Sequence, residues 1–275
     1  MKKILSMLLV LCMALTLCSA AFAEGKSPVD GMTVAFIPKV SGNSFFEAAN
    51  DGAQKYAKEW GLTVDYIGAP TADVTTQLEL IQQAIDKGVD AICISSVDAT
   101  GLDEKLQEAQ DAGIYVSTWD SDVSPNARAL MVSQGTADVL GPMLVEMAVD
   151  SLKERGVDVN GEVKYVWHFS NPSVSDQNSW YVAGDAYIKE KYPTWVAVHD
   201  PYYSNQDPAQ SVSVGESILD AYADVDVIIC NDSTALPGQC KAAENKGLTA
   251  KDITITGFCT PVSYTHLRAH ETDQY

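Results

Sequence analysis

The stretch VAFIPKVSGNSFFEAANDGAQKYAKEWG, residues 34–61, decides the fold of this chain. Its first four residues are apolar and typical of a buried strand, Pro38 and Gly42 indicate a loop, and apolar residues recur at helical spacing from Phe45 onward. The stretch is therefore predicted to form a strand, a loop and a helix. In open α/β sheets, ligands bind beyond the carboxyl ends of the strands, which is where this loop lies.

Lys39 and the pair Phe45 and Phe46 are predicted to lie on this loop and are candidate ligand-binding residues. An ammonium group donates hydrogen bonds to hydroxyls, and aromatic rings cover C–H faces, so the combination suits a polyhydroxylated ligand. A surface lysine and two core phenylalanines would give the same pattern. This stretch alone leaves both interpretations open.

The same alternation continues along the chain in two series. The first has strands at residues 34–37, 62–67, 89–95, 114–118 and 130–133, with helices at residues 45–60, 75–87 and 101–112. The second has strands at residues 163–169, 195–199, 225–230 and 253–256, with helices at residues 136–152, 177–191, 209–222 and 235–246. The apolar faces of two of these helices include Tyr56, Trp60, Met143, Met147 and Leu152.

Strands that alternate with helices of this length predict right-handed βαβ units and parallel sheets. We therefore predict an α/β protein with two doubly wound parallel-sheet lobes, residues 32–134 and 135–257, joined by a hinge.

Polar residues collect where strands end. In the first lobe they include Asp120, and in the second Asp176, Gln177, Asn231 and Ser233. Carboxylates accept hydrogen bonds from neighbouring hydroxyls, and amides both donate and accept, so these residues suit a small polyol if the two sets of loops face one another. Each residue taken alone is equally typical of a helix N-cap or a turn.

The charge excludes one class of partner. The chain has 275 residues, 46% of them hydrophobic, with 18 Lys and Arg against 37 Asp and Glu and a formal net charge of −19. Nucleic acid needs clustered cations, so we expect no nucleic-acid partner.

Residues 1–23 are predicted to be a signal peptide, because Lys2 and Lys3 precede an apolar run and Ala21 and Ala23 form a small-x-small cleavage site. The protein is therefore expected to be exported, to the periplasm or the cell surface. A lipoprotein anchored through Cys12 or Cys18 is the alternative.

Neither metal nor cofactor chemistry is predicted. Cys93, Cys230, Cys240 and Cys259 form no CxxC pair and have no nearby histidine, so no metal site is expected. No GxGxxG, GxxxxGK[ST], GxSxG or HExxH motif occurs, and we expect no cofactor.

Two other functions stay open on these residues. Asp120 and Asp176 could perform acid–base chemistry on a sugar, as in a glycosidase, and turnover of the ligand would distinguish that enzyme from a receptor. The effector domain of a cytoplasmic repressor has the same architecture, but it would carry a helix-turn-helix where this chain has its signal peptide.

Short strings give the chain a specific resemblance. From about Met32 to Pro261 it resembles the type I periplasmic solute-binding proteins of ABC importers, in the branch that contains the Lsr-type autoinducer-2 receptors and the rhamnose receptors. The matching strings are VAFIPK (34–39) with a following FF, GAQ (52–54), TWDSD (118–122), QGT (134–136), LVEMA (144–148), SDQNSW (175–180), ALP (235–237) and TGFCTP (256–261).

The resemblance implies a function and a site. Autoinducer-2 receptors hold their ligand with residues that match Lys39, Asp120, Asp176 and Gln177. They have Pro and Ala where this chain has Asn231 and Ser233, which favours a pentose or rhamnose as the alternative ligand. The family captures ligand between its lobes without catalysis and delivers it to a membrane ABC permease, and we expect a monomer.

The last residues do not continue the resemblance. Residues 262–275, VSYTHLRAHETDQY, resemble the in-frame translation of a transposase-type sequencing adapter. We expect this tail to be artefactual and the natural protein to be longer.

Overall fold

The computed structural model describes residues 27–259, so the predicted signal peptide and the predicted artefactual tail lie outside the described residues. The strands of this part are β1 (Thr33–Ile37), β2 (Thr63–Tyr66), β3 (Ala91–Ile94), β4 (Tyr115–Trp119), β5 (Leu130–Val132), β6 (Lys164–Phe169), β7 (Val196–Ala197), β8 (Tyr202–Tyr203), β9 (Val227–Cys230) and β10 (Thr254–Gly257). Its α-helices are α1 (Ser44–Trp60), α2 (Val74–Lys87), α3 (Asp103–Asp111), α4 (Ala137–Glu154), α5 (Ser175–Lys191), α6 (Pro208–Ala221) and α7 (Ala235–Asn245).

The strands form two parallel sheets. The first has the order β2-β1-β3-β4-β5, and the second has the order β10-β9-β6-β7, with β8 also paired to β6. Every pairing between these strands is parallel. The predicted α/β fold with two doubly wound lobes is therefore confirmed. The boundaries 32–134 and 135–257 remain predictions, although every strand of the first sheet precedes residue 134 and every strand of the second follows it.

The predicted strand at residues 195–199 is wrong in its extent. β7 contains only two residues and pairs with the start of β6, whereas β8, which we did not predict, pairs with its end at His168 and Phe169. Pro201 lies between the two short strands and has no N–H to donate to a ladder. Two short strands, β7 and β8, therefore pair with β6 in place of the single longer strand that was predicted.

Three residues assigned to apolar helix faces are exposed. Tyr56 and Trp60 are 47% and 48% exposed and pack against each other on the outside of α1, with ring centroids 5.5 Å apart. Met143 is 44% exposed, because α4 turns Leu144 and Val145 toward the core instead. Helical spacing alone did not identify which edge of each apolar stripe meets the sheet.

Helices α4 and α5 approach each other through two glycines. A Cβ atom placed on Gly141 would lie 2.6 Å from the backbone nitrogen of Gly184 and 2.7 Å from the carbonyl oxygen of Trp180. Contacts this short with backbone cannot be relieved by a rotamer change, so the absence of side chains sets the spacing of the two helices. This contact fixes α5, whose amino-terminal turn carries Asp176 and Gln177.

Hydrophobic cores lie within the lobes, on the faces of the two sheets. None of the helices formed by residues 27–259 combines the length and the apolar character needed to cross a membrane.

Candidate ligand-binding site

A cavity of about 260 Å³ lies where the carboxyl ends of the strands of one sheet face those of the other. It is lined by all eight residues that the sequence put forward, namely Lys39, Phe45, Phe46, Asp120, Asp176, Gln177, Asn231 and Ser233. It is also lined by residues that were not put forward, namely Gln134, Leu140, Trp180, Gln206, Asp232, Phe258 and Cys259. The fold therefore brings the predicted residues of both lobes to one place.

Four of the predicted residues lie on helices and not on loops. Phe45 and Phe46 belong to the first turn of α1, and Asp176 and Gln177 belong to the first turn of α5. The helices predicted at residues 45–60 and 177–191 start within two residues of α1 and α5, so only the placement of Phe45 and Phe46 on the loop and of Asp176 before its helix was wrong. A helix holds these side chains more firmly than a loop would.

Lys39 lies at the centre of the site and joins the two lobes. It follows β1, is 3% exposed, and places its Nζ atom 2.9 Å from Oδ2 of Asp120 in its own lobe. The same nitrogen donates to both carboxylate oxygens of Asp176 in the other lobe, at 3.1 and 3.2 Å. A buried charge needs such partners, because isolating an ion from water is very unfavourable.

Burial by itself lowers the pKa of Lys39, but the negative charges of Asp120 and Asp176 outweigh that effect and the pKa is raised. The amine therefore stays charged at neutral pH. It can donate three hydrogen bonds, and three carboxylate oxygens of Asp120 and Asp176 lie within 3.2 Å of it.

Asp120 is held on both carboxylate oxygens. Ser95 Oγ donates to Oδ2 at 2.7 Å, and Gln134 Nε2 donates to Oδ1. The residue has a φ of 61°, in the left-handed region that few residues other than glycine, asparagine and aspartate adopt. This backbone turn, directly after β4, is what directs the carboxylate back to Lys39.

The carboxylate of Asp176 has a strongly raised pKa. Burial raises its pKa to about 6, against the opposing charge of Lys39 and with a further increase from the charge of Asp120. Ser121 Oγ also donates to its Oδ1 atom. The ionised form of Asp176 thus depends on Lys39 for its stability.

Gln177, Asn231 and Asp232 form a hydrogen-bond network in the wall of the cavity. Gln177 Nε2 donates to Oδ2 of Asp232 at 2.7 Å, and its Oε1 accepts from the backbone N–H of Ser170 at 3.1 Å. Asn231 Nδ2 donates to the backbone carbonyl of Gln177 at 2.6 Å, and the buried Oδ1 of the same side chain has no hydrogen-bond partner.

Asp232 anchors this network to α7. Its Oδ1 accepts from the backbone N–H groups of Thr234 and Ala235 at the start of the helix, at 3.0 and 2.7 Å. Burial raises its pKa despite these hydrogen bonds.

Aromatic side chains form two opposite walls. In the first lobe, Phe45 and Phe46 meet edge to face at 5.2 Å and both contact Trp119. In the second lobe, Trp180 and Phe258 meet edge to face at 5.6 Å. Sugar rings present C–H faces that pack on such walls while their hydroxyls reach the polar residues between them.

Ser233 lies where this cavity adjoins a second one of about 430 Å³, which it also lines. Its hydroxyl accepts from Asn43 Nδ2 at 3.1 Å, and Thr234 Oγ1 accepts from the same nitrogen at 3.0 Å. Asn43 belongs to the first lobe, so these hydrogen bonds form a second link between the lobes.

Among the histidines and cysteines, His168, Cys93, Cys230 and Cys240 do not line the cavity, whereas Cys259 does. His168 is fully buried, contacts Gln239 Oε1 through Nδ1 at 3.1 Å, and has its pKa lowered to about 4 by burial. The four cysteines of residues 27–259 are free, and the same residues contain no cluster of His, Cys, Asp and Glu suited to a metal ion.

Comparisons with known proteins agree with this architecture. A family model described as "Periplasmic binding protein domain" matches residues 34–272. The solved structure of LsrB from Clostridium saccharobutylicum in complex with AI-2 is 58% identical to this chain, with a TM-score of 0.86, and the match covers 87% of this chain and 74% of that one.

Two curated relatives bind sugars. The D-ribose/D-allose-binding protein of Pseudomonas aeruginosa is 30% identical over 132 residues, which are 46% of this chain and 41% of that protein. The ribose import binding protein RbsB of Bacillus subtilis is 24% identical over 264 residues, which are 94% of this chain and 81% of that protein.

Proposed function

This chain belongs to the periplasmic binding protein family, and from that premise we propose that it is an extracytoplasmic receptor that captures a small furanose or polyol between its lobes for an ABC importer. The ligand that we propose first is autoinducer-2 (AI-2) or a close furanose. A pentose or rhamnose is the alternative.

The observation that carries this proposal is the position of Lys39 between Asp120 and Asp176, which belong to opposite lobes. A polyol can accept a hydrogen bond from the ammonium group and donate to both carboxylates, so one ligand would engage both lobes at once. Ligand contacts that exist only when the lobes are together favour the closed form.

The preference for AI-2 rests on the similarity to LsrB in complex with AI-2, at 58% identity over most of the chain. Lys39, Asp120, Asp176 and Gln177 have the residue types that the resemblance to autoinducer-2 receptors implies. Asn231 and Ser233 differ from that pattern and add polar groups, and the ribose import relative makes a pentose the next candidate.

The comparisons identify transport proteins and not enzymes. We accordingly assign no catalytic step to Asp120 and Asp176. We also propose that the protein is monomeric, that it is exported to the periplasm or the cell surface, and that the ligand-bound form docks on a membrane permease.

A binding panel tests the function. Thermal shift and calorimetry on the full chain with AI-2, L-rhamnose, D-ribose, D-xylose and D-galactose should give saturable binding of one of them, with a raised melting temperature. Recovery of that compound unchanged after long incubation supports a receptor. Its conversion to a product would establish the glycosidase-like enzyme instead.

A matched pair of variants tests the site. Asp120→Asn should weaken binding about ten- to hundred-fold, because a charge-assisted hydrogen bond contributes roughly 1.5–3 kcal/mol. The control is Asp122→Asn, since Asp122 binds Arg128 at 2.7 Å and does not line the cavity. Equal affinities of the two variants would remove Asp120 from the site.

A further inference from the structure

Gln206 stands out among the residues that line the main cavity. It is 5% exposed, and its side-chain Oε1 atom is buried without a hydrogen-bond partner. Buried polar atoms are nearly always paired, so an unpaired one that lines a cavity indicates a partner that arrives with the ligand. Asn231 Oδ1 is the second unpaired oxygen of this cavity wall.

The backbone of Gln206 is held in a conformation that its residue type disfavours. Its φ is 57°, and the preceding Asn205 has a φ of 50°. The turn is fixed from both sides: Asn205 N–H donates to the carbonyl of Ser170 at 2.8 Å, and Asp207 caps α6 by accepting from Gln210 N–H at 2.7 Å. A glycine would adopt this backbone without strain, so the amide side chain is retained here at a cost to stability.

Gln206 also has a distinct place in the site. It lines both the main cavity and the adjoining cavity of about 430 Å³, as Ser233 does. The Ser233 hydroxyl is already engaged by Asn43. The unpartnered Oε1 atom of Gln206 is therefore the polar group available to the part of a ligand that points from the main cavity toward the second one.

We propose that Gln206 is a ligand-contacting specificity residue that binds a hydroxyl group of the sugar where the two cavities meet. A side-chain amide presents an acceptor or, when turned by 180°, a donor at the same position, and a hydroxyl complements both. A deoxy sugar that places a C–H or a methyl group there leaves the amide unpaired and is rejected. This inference rests on the proposed sugar-binding function and adds a residue to that same site.

The test uses two substitutions of Gln206 and one matched control. Gln206→Gly and Gln206→Met both remove the amide, and Asn205→Gly makes the same backbone change at the neighbouring left-handed residue, whose side chain is exposed. Affinities for AI-2 and D-ribose are measured by calorimetry, and thermal unfolding is measured without ligand. Gln206→Gly and Gln206→Met should each weaken the affinity about ten-fold for the probe that the wild type binds. The affinity of Asn205→Gly should stay within about two-fold of the wild-type value.

Stability separates a specificity role from a structural one. Gln206→Gly relieves a strained backbone and should melt no lower than Asn205→Gly, so its lost affinity cannot be explained by lost folding. Should Gln206→Gly fail to fold, Gln206→Met still gives the affinity result. If the wild type binds a probe and both Gln206 variants bind it with the same affinity, this inference alone is overturned. If the wild type binds neither probe nor any other sugar of the panel, the proposed function is overturned and this inference with it.

Discussion

Lys39 carries a buried charge that two carboxylates share, and its removal should be costly. In Lys39→Met, Asp120 and Asp176 lose their common cation and remain buried. Breaking a buried ion pair in this way costs about 3–5 kcal/mol in the free energy of unfolding. Urea denaturation at pH 7 measures it.

The control is Lys87→Met. Lys87 pairs with Asp65 at 2.7 Å, but its side chain is 51% exposed, so this loss should stay below about 1 kcal/mol. Similar losses in the two variants would show that Lys39 contributes no more than a surface ion pair.

Asp176 gives the protein a dependence on pH. Its folded-state pKa of about 6 lies above the usual value of about 3.9, so the folded protein holds this proton more tightly than the unfolded chain does. Its contribution to the free energy of unfolding is therefore present below about pH 4 and is lost as the pH rises through about 6.

Asp176→Asn isolates this contribution from the other carboxylates. The free energy of unfolding of the wild type minus that of Asp176→Asn should fall between pH 4 and pH 7. A difference that stays constant, or that rises, would contradict the raised pKa.

The residue types of the site were predictable from the sequence, and their contacts were not. Lys39, Asp120 and Asp176 follow strands, which was enough to bring them to one edge of the fold. That Lys39 would pair with Asp120 and also with Asp176, which lies 137 positions further along the chain, depends on how the lobes meet, and no local pattern records this. Gln206 escaped notice for a similar reason, because it follows β8, a two-residue strand with no apolar period.

The N-cap residue of helix α1, Asn43, has two roles. Asn43 accepts from the Phe45 N–H at 2.9 Å as its N-cap, and it also donates to Ser233 and Thr234 in the other lobe. Asn43→Ala should lose about 1 kcal/mol for the cap and about 0.5–1.5 kcal/mol for each lost hydrogen bond. Weaker links should let the lobes separate, so X-ray scattering should report a larger radius of gyration.

A second N-cap serves as the control. Asp73 caps α2 by accepting from Thr76 N–H at 2.8 Å, and Thr71 and Thr76 of its own lobe are its side-chain partners. Asp73→Ala should lose about 1 kcal/mol as well, without a change in scattering. If Asn43→Ala scatters as Asp73→Ala does, the hydrogen bonds across the lobes do not hold them together.

Helices and strands with a strong apolar period were predicted well, whereas strands that form by pairing with an adjacent strand were not. The strand at residues 225–230 and the helix at residues 235–246 match β9 and α7 to within two residues at each end. By contrast, β7 and β8 exist only because β6 offers an open flank to the chain that follows α5. Their form therefore depends on tertiary pairing and not on local sequence.

The whole molecule has a large excess of negative charge. A formal net charge of −19 repels itself more strongly in the compact state than in the unfolded chain. Raising NaCl from about 10 to about 150 mM shortens the Debye length from roughly 30 to roughly 8 Å, so the melting temperature should rise. The buried pairs of Lys39 are screened too little to offset this effect.

Calorimetry at matched ionic strengths of NaCl and KCl provides the measurement and its control. The rise should follow ionic strength and be the same for both salts. A melting temperature that falls with added salt would mean that favourable surface ion pairs outweigh the general repulsion.

The order of the strands along the chain also bears on how the protein is made. The five strands that residues 27–259 contribute to the first sheet lie within residues 33–132, so these strands can pair as the chain emerges from its amino end, before the second lobe exists. Asp120 arrives within that first portion and neutralises Lys39 early. Lys39 therefore has a carboxylate partner in its own lobe before Asp176 is made, and the ion pair between the lobes is not a condition for pairing the strands of the first sheet.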